Sequence, residues 1–321
     1  MHDKAPANFR KPDNVKKIVL KHVNAFTTTP FQGNPAGVVL DARGLSDATM
    51  QSIARELGAP ETAFVLPPTL KAADIQIRWF SPAVEIPLCG HATIGAFHAL
   101  AEDGMHGMRS NGSRLFVVQT KSGLLQVTVV KSPSGIVVEF QLPVPKFSVL
   151  KVLPPALSRP LGLTKSDLDP ALPVARSNYL YIPMKKRSRL WELNPDMKGL
   201  GDWCRKFGFI GVSLVTLQTI EESSAFHSRF FAPAAGIDED PVTGSANGPL
   251  GVYSFLYGVR KGIALPSYWL LDDRLEFIGE QGDVMGRKGR VKIRLKVKKG
   301  GVGDVRIAGE AVTLFKFALK I

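Results

Sequence analysis

One stretch of the chain occurs twice, and that repetition limits the possible fold more than any composition value does. Residues 229–251 read RFFAPAAGIDEDPVTGSANGPLG and residues 78–100 read RWFSPAVEIPLCGHATIGAFHAL. Arg78, Phe80, Pro82 and Ala83 match Arg229, Phe231, Pro233 and Ala234. After a longer loop in the second copy, Pro87, Gly90 and Ala92 match Pro241, Gly244 and Ala246. The likeness extends outward, with AFV at 63–65 facing SLV at 213–215 and TKSG at 120–123 facing GEQG at 279–282. Each copy reads as a hydrophobic strand, a loop, and a small-residue turn that opens a helix. The pattern predicts one duplicated α/β unit, hence an α+β protein whose two halves enclose a cleft. Free N–H groups at Gly244, Ser245 and Ala246 would form an anion site at the positive end of a helix. The acids just before them, Asp238, Glu239 and Asp240, are placed to move protons.

With 321 residues and 45% hydrophobic content, the chain has material for two cores of ordinary size. No apolar run is long enough to span a bilayer, and the polar first residues lack the apolar centre of a signal peptide, so a cytoplasmic protein is expected. Cys89 and Cys204 are the whole cysteine content, too few for a disulfide framework. The net charge of +13 is concentrated between Met285 and Gly301, where eight basic residues stand with no acid. From Arg290 on they alternate with Val291, Ile293, Leu295 and Val297, which predicts a strand with its basic face in water and its apolar face buried. No aromatics interleave as a single-strand nucleic-acid platform would need.

Along the chain, residues 1–16 read as a loose polar arm and structure starts at Lys17. Gly33, Asn34 and Pro35 form a tight turn whose amide could reach a ligand, although a plain loop turn fits equally well. Ser46 caps a helix ending at Gly58. Glu61 opens a short apolar strand, where a glutamate is usually a solvated strand end, but its counterpart in the second copy carries no acid. That asymmetry is what a single acid/base in a two-sided cleft would show. A proline-rich stretch from Pro143 to Pro173 marks the crossing between copies. Pro249 in the second central helix is tolerable only within its first turns. His98 and His106 read as ordinary histidines, since no carboxylate or cysteine stands at metal-ligand spacing from them. No dinucleotide fingerprint, P-loop or nucleophile elbow is present, and neither a cofactor nor a metal is expected.

FQGNPAGVV, ETAFV, RWFSPAVEIPLCGHAT, EDPVTGSA and the late GEQG together resemble the phenazine biosynthesis PhzF-like family, of diaminopimelate epimerase-like fold. The resemblance covers nearly everything after Lys17. It implies two similar domains, each a curved β-barrel around a central helix: residues 17–145 with about 304–321, and residues 146–303. It also implies cofactor-free chemistry on a small anionic substrate, and a homodimer. The family's catalytic glutamate falls on Glu61, its CGHAT histidine on His91 and its EDPxTGSA aspartate on Asp240. Gly90, Gly244 and Ser245 match the turns that hold substrate. Cys89 takes the place of one thiol of the related epimerases, and Thr243 the place of the other. Threonine is too weak an acid to serve as a second base, so an amino-acid epimerase is disfavoured. Asn247 stands where a histidine is common.

Two readings follow. In the first, a cofactor-independent isomerase moves a proton on an anthranilate-like or amino-acid-like carboxylate through Glu61, whose proton affinity burial and nearby Asp240 should raise. In the second, the scaffold is vestigial and the basic strand and arm bind a protein or nucleic acid. Retention of Glu61, His91 and Asp240 favours the first.

Overall fold

Alternating polarity makes strand the commonest regular structure among the described residues, and the strands join into one hydrogen-bonded network. The computed structural model describes residues 17–298 and 301–321, so the polar arm 1–16 and Lys299 of the basic run lie outside the described residues. In chain order the first half comprises β1 (Lys17–Ala25), β2 (Asn34–Val39), α1 (Asp47–Leu57), β3 (Glu61–Leu66), β4 (Ile75–Phe80), β5 (Glu85–Ile86), α2 (Gly90–Glu102), β6 (Gly112–Thr120), β7 (Gly123–Ser132) and β8 (Gly135–Leu142). Next come β9 (Ser148–Val149), α3 (Pro155–Leu161), β10 (Ala175–Arg176), β11 (Leu180–Pro183), α4 (Arg187–Glu192), α5 (Met197–Phe207), β12 (Val212–Thr216), β13 (Phe226–Ala232) and β14 (Ile237–Asp240). The chain ends with α6 (Gly244–Tyr253), β15 (Trp269–Leu271), β16 (Arg274–Gln281), β17 (Gly289–Lys298), β18 (Gly301–Gly309) and β19 (Ala311–Lys320).

The duplication is visible in the ladders. In the first half β2 runs parallel to β3, β3 antiparallel to β4, and β4 parallel to β6, after which β6, β7 and β8 form a meander. In the second half β11 runs parallel to β12, β12 antiparallel to β13, and β13 parallel to β16, after which β16, β17 and β18 form a meander. The short strands β5 and β14 turn back antiparallel on β4 and β13. The halves meet where β8 pairs with β18, Phe140 opposite Ile307.

Each half wraps one buried helix, because a helix that is apolar all round has no face to offer water. In α2 every residue from His91 to Ala101 is buried, and α6 is buried over most of its length. Glycines let α6 approach the sheet. A Cβ at Gly248 would lie 2.4 Å from Leu142 Cδ1, and one at Gly251 2.5 Å from Ile293 Cγ2. Pro249, sixth in the helix, removes the donor that Ser245 O would use. Surface helix α1 follows its sequence signals: Ser46 accepts from the Thr49 N–H, and Gly58 ends the helix in the left-handed region at φ 65°.

Three sequence expectations are corrected. GVGDVRIAG, not read as a strand, forms β18, the strand that joins the halves. RSNYLYIPM, whose residues read as one strand, forms two short strands instead, broken where the Ser177 N–H turns to Tyr179 O. In β17, Val291, Ile293 and Leu295 are buried as alternation demands, but Val297 is only half-buried, and so are Arg290 and Lys292. The charge run is also less bare than it reads. Lys288 and Arg290 pair with Glu221, Arg290 with Asp283, Arg294 with Glu139 and Glu276, and Lys296 with Asp273. No helix among the described residues is long and apolar enough to cross a membrane.

Gly251→Ala should lower stability by about 1–3 kcal/mol, because the new methyl meets a β-branched side chain fixed in the central strand. Urea midpoints of the two proteins measure this, and equal midpoints would show that α6 does not sit so close to β17.

Candidate active site

The two buried helices begin at the same place. Cys89 and Thr243, both in extended conformation, are the N-cap residues of α2 and α6, and neither side chain caps its own helix. No acidic residue stands in either first turn. A Cβ at Gly90 would be 4.0 Å from Gly244 Cα, so the helix starts touch. The first N–H groups of a helix lack i−4 acceptors, and the partial positive ends of both helices converge. Of the three groups expected free at α6, that of Ala246 is already donated to Thr243 O. The far end of α2 is balanced by cations: buried Lys21 donates to Ala99 O and pairs with Glu102 and Asp103, and Lys131 donates to Ala101 O.

A cavity of about 940 Å³ opens over this junction. Glu61, Cys89, Gly90, His91, Asp240, Thr243, Gly244 and Ser245 all line it, with apolar walls that include Ile86, Phe140 and Phe230. The position of Glu61 follows from the parallel pairing of β3 with β2, which sets it opposite Ala36. Its Oε2 lies 3.1 Å from His91 Nε2, and Cys89 Sγ lies 3.5 Å from His91 Nδ1. Asp240 ends β14, and both its carboxylate oxygens are engaged. Thr243 Oγ1 donates to Oδ2 at 2.6 Å and Asn34 Nδ2 donates to Oδ1 at 2.6 Å.

Asn34 is therefore placed differently from the sequence reading. It does not line the cavity but is fully buried behind Asp240, where it also donates to Val242 O. Gln281 went unrecognised, since GEQG served only to mark the repeat. Its Nε2 donates to Asp240 O and Thr243 Oγ1, and its Oε1 accepts from the Thr243 N–H and from Asn247 Nδ2. One amide thus holds the turn that opens α6. Tyr179 was also missed; its hydroxyl lies 3.0 Å from Ser245 Oγ. The matched arginines of the repeat have a common task as well. Arg78 grips Glu85 and Arg229 grips Glu239, each through two parallel hydrogen bonds, which fixes the short strand leading to each helix.

The proton affinities differ from expectation. Burial does push Glu61 up, but the hydrogen bond and charge of His91, with help from Cys89, outweigh it and hold the carboxyl below its ordinary range. Asp240 is the carboxyl that ends up raised, by burial and by the charge of Glu61, against the pull of His91, Thr243 and Asn34. Burial opposes a charge on His91, yet the Cys89 sulfur and the Glu61 carboxylate raise it well above the free imidazole value. Burial and the Glu61 charge push the Cys89 thiol up to about 11. Glu61 is thus held toward its carboxylate form, Cys89 toward its thiol form, and His91 is drawn toward its protonated form.

The chain matches the model of the phenazine biosynthesis-like protein family over residues 23–316. It belongs to this PhzF-like family. A relative from Escherichia coli strain K12, named an uncharacterized isomerase, is 36% identical over 92% of this chain and 95% of its own length. Another from Clostridium acetobutylicum, named likewise, is 34% identical over 95% of this chain and 99% of its own. The crystal structure of a PhzF-family protein from Bacillus anthracis superposes with a TM-score of 0.82 at 32% identity, covering 95% of this chain and 100% of that one. A hydroxyproline epimerase from Agrobacterium vitis, at 13% identity and a TM-score of 0.60, shares the fold alone. The PhzF-like chain has the α+β epimerase-like fold.

The His91 imidazole should titrate above its ordinary value of 6.5 when followed by NMR of its ring protons. A raised folded-state value stabilises the protein below pH 6.5, and that stabilisation is lost as pH rises through the raised value. Glu61, lowered from 4.5, contributes above that pH and loses its contribution as pH falls through the lowered value. A His91 that titrates at or below 6.5 would contradict the ion pair.

Proposed function

We propose that this PhzF-like chain is a cofactor-independent isomerase that moves a proton between two positions of a small carboxylate-bearing substrate, anthranilate-like or amino-acid-like. The observation behind this reading is the Glu61–His91 pair beside two converging helix starts. The helix starts suit the substrate carboxylate, and apolar walls suit its carbon frame. Glu61 accepts the proton as a C–H bond breaks. The electron pair left behind spreads into the conjugated substrate, next to the positive helix ends that stabilise it. Glu61 then gives a proton, exchangeable with solvent while it rests on the carboxyl, to a second carbon on the same face, so atoms and electrons balance.

The low proton affinity of Glu61 keeps it ready as a base and quick to give the proton back. When substrate displaces water, burial strengthens it as a base. His91 holds the carboxylate in place and shares its charge, and Asp240, with the raised proton affinity, faces the polar groups of the substrate. Opposite Cys89 stands Thr243, whose hydroxyl proton is already committed to Asp240. That supports a one-base proton shift over a two-thiol epimerisation. Acid partners along β17 leave that strand little charge to offer a phosphate backbone, so the isomerase reading is preferred to a nucleic-acid one.

The test incubates the protein in D₂O with a panel of small unsaturated and amino carboxylates and follows deuterium at carbon by NMR. At least one compound should exchange with the native chain. Glu61→Gln should slow that exchange by about 10²–10⁴-fold while its circular dichroism stays native. Native-like exchange in Glu61→Gln would remove Glu61 from the reaction.

A further inference from the structure

The cavity holds one donor atom that proton transfer does not use, the Cys89 sulfur. Cys89, besides flanking His91, adds a sulfur to an imidazole and a carboxylate, the three ligand types that zinc prefers. One donor atom from each of Glu61, Cys89 and His91 lies within 4.8 Å of the others, and all three residues are buried. Through His91 Nε2 the separations are 3.1 Å to Glu61 Oε2 and 3.9 Å to Cys89 Sγ. A tetrahedral ion with bonds of about 2.0–2.3 Å sets its donors roughly 3.3–3.8 Å apart. Glu61 Oε2 faces His91 Nε2 while Cys89 Sγ is nearer Nδ1, at 3.5 Å, so the set closes when the Cys89 and His91 side chains turn to aim at one point.

We propose that Glu61, Cys89 and His91 form a binding site for a zinc-type divalent ion, with a fourth position open to the cavity. Charge allows it despite the two helix starts: one thiolate and one carboxylate neutralise a doubly charged ion, so the converging dipoles meet a group with no net charge. Coordination replaces the Cys89 proton, and a charged His91 loses its proton too, so binding releases protons and strengthens as pH rises. The loaded form takes Glu61 and His91 as ligands and so closes the site to acid/base work. Metal binding stands on these donor positions and does not require that the proposed isomerisation be correct.

The experiment titrates the full chain, freed of metal by a chelator, with Co²⁺ alone. One equivalent should produce the intense visible bands of a tetrahedral ion and a near-ultraviolet thiolate-to-cobalt charge-transfer band, and Zn²⁺ should abolish both by displacement. Cys89→Ser should remove the charge-transfer band, and both it and His91→Gln should weaken binding by more than about tenfold. Cys204→Ser, in a separate core, should change neither. Lowering the pH should weaken Co²⁺ binding. The proposal fails if the spectrum is the pale one of an octahedral ion, if the charge-transfer band survives in Cys89→Ser, or if no saturable binding occurs. Because the readout is optical, an inactive but cobalt-binding chain refutes the isomerase reading alone.

Discussion

The contact between Gly90 and Gly244 is the constraint on which the rest of this molecule depends. Two helix starts, each a partial positive charge, repel one another, and only a surrounding frame can hold them together. Here the frame is the β8–β18 seam. A Cβ at Gly244 would come within 2.5 Å of Ile307 Cδ1, and one at Gly90 within 3.3 Å of Phe140 Cζ. Ile307 and Phe140 face each other across that seam. The same two side chains thus join the halves and set the distance between the helices. Glycine at both positions is what allows the approach.

Holding like partial charges together requires compensation nearby, and the polar groups around the site supply it. Glu61 and Asp240 bring negative charge close to the helix starts, while Lys21 and the Lys131 ammonium sit at the negative end of α2. A further layer fixes these groups. Gln281 ties β16 to the turn that opens α6, and the next residue back, Glu280, is fully buried. Burial pushes the Glu280 carboxyl up, but His227 and the Glu221 and Ile220 N–H groups bring it down to about 2. His227 Nε2 in turn accepts from Trp191 Nε1, which leaves Nδ1 to donate to Glu280. The chain of bonds runs from α4 to the Asp240 turn without an unpaired charge, which is how a buried polar network becomes rigid rather than costly.

Much of this could be read in the residues alone. The repeat predicts equivalent helix starts, alternation predicts β17, and Ser46 and Gly58 bound α1 because capping is local chemistry. What escaped the sequence is what depends on distant partners. β18 carries three glycines and Asp304 in nine residues, so its strand character comes from pairing on both sides with β17 and β8 and not from propensity. Burial of Glu61 was foreseeable, but the direction of its proton affinity was not. The imidazole that reverses it is thirty positions away and reaches it only through the first turn of α2. Asn34 was misplaced for the same reason: a turn amide looks available until Asp240 is folded against it. The basic run looked unpaired because its acids come from the loop at Glu221, from strands β8 and β16, and from the turns on either side of β16.

The asymmetry of the site has a steric origin. The ladders align Thr62 with Val212, since one pairs with Phe80 and the other with Phe231, the matched phenylalanines of the repeat. Gly211 is therefore the structural counterpart of Glu61. A Cβ on Gly211 would fall 2.7 Å from Phe231 O and 2.7 Å from Phe230 Cζ. The carbonyl belongs to the backbone and cannot move aside, so no acid can be built on the second side. Phe230, a cavity wall, lies beside that position. The duplicated frame thus offers two anion-binding helix starts but room for one glutamate, and a substrate held between them meets the Glu61 carboxylate from a single face. A reaction that takes and returns a proton on one face fits that geometry, whereas inversion of a carbon centre needs a second base where the chain has Thr243 bound to Asp240.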